Sequence, residues 1–107
     1  MERYDKLVRD RIPEMIQENG EACTVKRLRG KDYTEALKGK LKEEVKEYLL
    51  ATDSTSCLEE LADILEVLHG LANIHHVSFD TIEQLREEKE KERGGFKERI
   101  FLISKAK

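Results

Sequence analysis

Ser56-Cys57-Leu58-Glu59-Glu60-Leu61-Ala62-Asp63-Ile64-Leu65-Glu66-Val67-Leu68 is the stretch that decides how this chain folds. Its apolar residues recur at three- and four-residue intervals and continue through Leu71 and Ile74, which predicts a helix running to about His75. Ser56 with Glu59 has capping-box spacing and would open it. The apolar coat goes most of the way round, so this helix is expected to be central, with part of it facing another subunit. Four acids, Glu59, Glu60, Asp63 and Glu66, interrupt the coat. Glu60 and Asp63 lie three residues apart and so share one helical face.

A matching cluster lies upstream, in Glu43-Glu44-Val45-Lys46-Glu47. Glu44 and Glu47 share a face in the same way, beside Leu41, Val45, Tyr48 and Leu49. This helix is expected from a capping box at Asp32 and Glu35 to about Ala51, with Tyr33, Leu37, Leu41, Val45 and Tyr48 as its apolar stripe. A short connection makes the two acidic helices antiparallel neighbours. Carboxylates converging between packed helices repel unless a divalent cation neutralises them, and oxygen-only ligands suit Mg²⁺ or Mn²⁺. Taken singly, either cluster is what a Glu-rich helix yields by chance. Two of them on consecutive helices beside apolar stripes point to metal.

The rest of the chain frames that pair. Pro13 suits the first turn of a short helix that Asn19-Gly20 stops. Ser78 is the expected N-cap of a fourth helix, stapled by Val77 and Ile82 and ended by Gly94-Gly95. Ala22–Leu28 and Arg99–Ile103 alternate as strands do and are expected to pair. The fold class expected is mainly α, four-helix bundle-like, with antiparallel helices and a small two-stranded β appendage, in one domain over residues 1–107 and oligomeric, as a homodimer or homotetramer.

Composition narrows the function. With 20 Lys and Arg against 23 Asp and Glu, the net charge is -3, which leaves no basic excess for nucleic acid. No apolar run approaches the length that spans a bilayer, and the N-terminus has no signal-type apolar region, so no membrane partner is expected and the compartment expected is the cytoplasm. Cys23 and Cys57 have no metal or redox spacing and read as free thiols. Cys57 has no His motif to make it a nucleophile, and His69, His75 and His76 form no site. No P-loop is present, so phosphates would have to be held by metal and by basic side chains.

Glu43-Glu44-x-x-Glu47, twelve residues, then Glu60-x-x-Asp63 resembles the EExxE…ExxD signature of the all-α nucleoside triphosphate pyrophosphohydrolases. That superfamily groups MazG-like proteins, dimeric dUTPases and phosphoribosyl-ATP pyrophosphohydrolases. The opening Lys6-Leu7-Val8-Arg9-Asp10-Arg11-Ile12-Pro13-Glu14 and the closing Arg93-Gly94-Gly95-Phe96 look like a small MazG-like subgroup. The resemblance implies Mg²⁺ ligands at Glu44, Glu47, Glu60 and Asp63, with Glu43 orienting the attacking water, so that Glu43 and Glu44 form the catalytic pair. It implies hydrolysis of a nucleotide between its α and β phosphates. Arg9, Arg11, Lys91 and Arg93 match the subgroup pattern and are the phosphate-binding candidates. Two alternatives stand beside this reading: a phosphoribosyl-ATP pyrophosphohydrolase of histidine biosynthesis, and a non-enzymatic helical interaction module.

Overall fold

The computed structural model describes residues 2–106, which form four helices: α1 (Ile12–Glu18), α2 (Gly30–Leu50), α3 (Ser54–Ile74) and α4 (Phe79–Arg93). The centre is the α2–α3 hairpin, closed by the connection Ala51-Thr52-Asp53. α4 packs on α3 near its own start, where Phe79 stacks on His69 with ring centroids 4.1 Å apart. α1 packs on none of the other three.

Local chemistry explains the helix ends, and not always as the sequence suggests. α3 begins two residues before Ser56: Asp53 is its N-cap and accepts from the Ser56 amide at 2.8 Å and from its hydroxyl at 3.0 Å. Those bonds hold the Asp53 carboxyl below its usual range. The expected Ser56–Glu59 box is therefore replaced by an earlier acceptor for the same amide. α2 likewise starts at Gly30, ahead of Asp32, and its N-cap Arg29 offers no side-chain bond. α1 and α3 both end in Schellman turns. In the first, Glu21 and Gly20 donate to Ile16 and Gln17, and in the second, Val77 and His76 donate to Ala72 and Asn73. Gly20 takes the left-handed position in one, and His76 takes it at φ 62° in the other.

The helices approach most closely at Gly70. A Cβ there would lie 3.2 Å from a Leu37 methyl, so the missing side chain sets the spacing of α2 and α3. Leu37, Val67 and Ala72 are the buried apolar residues among those described. This core is small. The radius of gyration is 18.3 Å, against about 13 Å for a compact domain of this length. The chain exposes 10250 Å², where a compact monomer of this mass exposes about 6200 Å².

The expected β appendage does not form: among the described residues there is no strand. Residues 22–28 run as coil, and Arg99 turns the second segment through φ 57°, donating its amide to Phe96. A two-stranded ribbon is marginal without a surface to cover it, and residues 94–106 are exposed throughout. Mainly α, with four helices, is the architecture. No helix among the described residues is long and apolar enough to cross a membrane.

Candidate active site

The α2–α3 seam changes chemistry along its length. The antiparallel register that sets Leu37 against Gly70 carries Glu44 and Glu47 to the level of Asp63 and Glu60. Glu44 stands seven residues after Leu37, two helical turns further along the same face. It is the buried charged residue of the described chain, 6% exposed, whereas Val45 and Tyr48 of the expected apolar stripe are 38% and 36% exposed. An acid thus occupies a core position.

Carboxylate oxygens of Glu44, Glu47 and Glu60 all lie within 4.8 Å of one another. Glu44 is buried, Glu60 half-buried and Glu47 exposed, so the cluster opens to solvent on the Glu47 side. Glu44 Oε2 and Glu60 Oε2 are buried with no hydrogen-bond partner. Two such orphaned, like-charged acceptors are costly. Without a cation, the remedy is a proton. Sharing one with Glu44, together with loss of water and the nearby Glu47 carboxylate, pushes the Glu60 carboxyl up to about 7. The donor set is all oxygen, anionic and unsatisfied, which fits a hard divalent cation.

The other expected site residues divide. Asp63 lies on the α3 face but outside the trio. Its Oδ1 is held by Arg9 Nη2 at 2.6 Å, and Arg9 Nη1 lies 3.9 Å from Glu66. Arg9 is therefore at the acidic end of the seam. Arg11 is turned to its own helix and pairs with Glu14 at 3.1 Å. Glu43 is half-buried and 3.5 Å from Lys40. Lys91 and Arg93 are exposed in the last turn of α4, with Arg93 lining a surface hollow beside Gly95, Phe96 and Arg99.

One basic residue of α2 has a place to which the sequence reading attaches no role. Lys40 Nζ lies 3.4 Å from Glu44 Oε1 as well as near Glu43, and its side chain is only 20% exposed. Its signal was present, because Lys at i with Glu at i+3 and i+4 is the spacing of helical ion pairs.

Over residues 3–90 the chain matches the family described as phosphoribosyl-ATP pyrophosphohydrolase, and it belongs to that family. The family is part of the MazG-like all-α nucleoside triphosphate pyrophosphohydrolase superfamily. A protein of Mycolicibacterium smegmatis described as uncharacterized is 43% identical over 54 residues, 50% of this chain and 55% of that one. The chain thus spans about half the length of this relative. No solved structure matches it.

Proposed function

We propose that this protein is a Mg²⁺-dependent nucleotide pyrophosphohydrolase that cleaves a nucleoside triphosphate between its α and β phosphates, giving a monophosphate and pyrophosphate. The observation that carries this reading is the pair of orphaned buried oxygens, Glu44 Oε2 and Glu60 Oε2, inside a three-acid cluster. Glu44, Glu47 and Glu60 hold the cation, with Asp63 as the fourth ligand; Mn²⁺ suits the same oxygens. Bound there, Mg²⁺ supplies charge neutralisation for the phosphates and a more acidic water.

The chain's own residues do the rest. Glu43 accepts a hydrogen bond from the attacking water and orients it, while Lys40 holds that carboxylate in place. The solvent side at Glu47 admits the phosphates. Arg9, already beside the cluster, neutralises phosphate charge, and Arg11, Lys91 and Arg93 add to it where the assembly brings them close. The family's description favours a second reading of the substrate as phosphoribosyl-ATP, with the same anhydride bond cut. Pyrophosphate release, measured over a nucleotide panel that includes phosphoribosyl-ATP, decides between the two. No release from any member with Mg²⁺ present would leave a non-catalytic helical module.

We also propose a homodimer or homotetramer as the working form. The exposed surface and the apolar residues Leu58, Leu61 and Leu65, 66%, 44% and 45% exposed, support it. Light scattering should give at least twice the 12.5 kDa chain mass, and a monomer at micromolar concentration overturns it.

A further inference from the structure

We propose that Arg9 and the divalent cation compete for Asp63, so that cation entry evicts the guanidinium and frees it at the rim of the acidic cluster. This rests on the cation reading of the cluster given above. Asp63 is at the level of Glu44 across the seam, yet its Oδ1 is taken by Arg9 Nη2 at 2.6 Å, with Nη1 3.9 Å from Glu66. A carboxylate oxygen so engaged has fewer lone pairs to offer a cation, and a guanidinium and a metal ion side by side repel.

The two cations at the cluster are built differently. Lys40 rises from α2 itself, is 20% exposed and is fixed by its spacing from Glu43 and Glu44. Arg9 sits 55% exposed on coil that precedes α1, a helix that packs on no other. Among the described residues, the hydrogen bonds and ion pairs that join residues 2–11 to α2, α3 or α4 are the two Arg9 makes with Asp63 and Glu66. The arm can therefore let go without breaking any other of these polar links, and an ion pair this exposed costs little to break. Eviction leaves an unpaired guanidinium beside the solvent side of the cluster, where a planar, bidentate phosphate donor is useful. Arg9 thus ties metal loading to phosphate capture.

The test is a Mn²⁺ titration followed by the free-ion electron paramagnetic resonance signal, at physiological salt, on wild type, Arg9→Ala and Arg11→Ala. Removing the competitor should tighten Mn²⁺ binding about two- to fivefold in Arg9→Ala, the factor a half-exposed pair is worth. Arg11→Ala, whose guanidinium sits on Glu14, should bind as wild type does, which separates loss of the contact from loss of one positive charge. In ¹⁵N spectra, the Arg9 Nε–H signal, identified by its loss in Arg9→Ala, should move to the position of exposed arginines when Mg²⁺ is added. Equal or weaker Mn²⁺ binding in Arg9→Ala, equal tightening in Arg11→Ala, or an unmoved Arg9 signal in Mg²⁺-loaded protein overturns the competition and leaves the cation site standing. Absence of Mn²⁺ binding by wild type overturns both.

Discussion

The two halves of the α2–α3 seam share one geometry and opposite chemistry. At one end Leu37 packs against Gly70, with Val67 and Ala72 also buried, and this apolar burial favours the folded state. At the other, Glu44, Glu47 and Glu60 take positions of the same two helices, and two of their oxygens are buried without partners. The apolar half holds the helices together so that the acidic half can be kept in an arrangement it would not choose alone. Burial here measures two things: packing at one end, and a stored demand for positive charge at the other.

Neutralising the acidic half should have the largest effect. Glu44→Gln with Glu60→Gln should lower kcat/KM on the best nucleotide by about three orders of magnitude, since metal contributes several kcal/mol to transition-state stabilisation. The metal-free double variant should melt no lower than wild type, because no buried pair of charges remains, and Mg²⁺ should no longer raise its melting temperature. A wild-type metal response in the double variant would place the cation elsewhere.

Truncation of the apolar half should act in the opposite way. Leu37→Ala removes a buried side chain and should cost about 2–4 kcal/mol in denaturant unfolding, with metal binding retained wherever the chain stays folded. A cost below about 1 kcal/mol would mean that the Leu37–Gly70 contact is not what closes the hairpin. Smaller again is Arg93→Ala, expected to lower kcat/KM by about 1.5–3 kcal/mol of charged hydrogen bonding while leaving Mg²⁺-induced stabilisation unchanged. Full activity in that variant would make the end of α4 structural.

The mildest probe is pH. In the metal-free protein the Glu60 carboxyl lies at about 7, above its ordinary 4.5, so the folded state holds its proton more tightly than the unfolded chain does. Its contribution to stability is complete below about 4.5 and is lost as pH rises to about 7. Melting temperature should therefore decline through that window, and Glu60→Gln should flatten the decline. Saturating Mg²⁺ should reverse it, because the cation displaces the proton and binds more tightly as pH rises. A metal-free profile identical in wild type and Glu60→Gln would remove the strained proton from the account.

The acidic pair and the helices that carry it were legible, because helical spacing alone puts Glu44 beside Glu47 and Glu60 beside Asp63. Helix starts were less so. Thr52-Asp53-Ser54-Thr55-Ser56 offers several side chains able to cap α3, and only the folded backbone shows that Asp53 does. The strands failed for a different reason: alternation records what a surface would accept, and among the described residues Arg99–Ile103 lies exposed and residues 22–28 run as coil. The Arg9–Asp63 contact spans 54 residues and leaves no periodic trace. Lys40 was readable at i+3 and i+4 but is hard to pick out among 20 basic residues.

Anomalous diffraction from a Mn²⁺-soaked crystal would show whether the acidic half of the seam holds a cation. One peak per chain is expected between α2 and α3, bonded to oxygens of Glu44, Glu47, Glu60 and Asp63. A manganese peak at any other place, or an empty cluster at saturating Mn²⁺, would contradict that expectation.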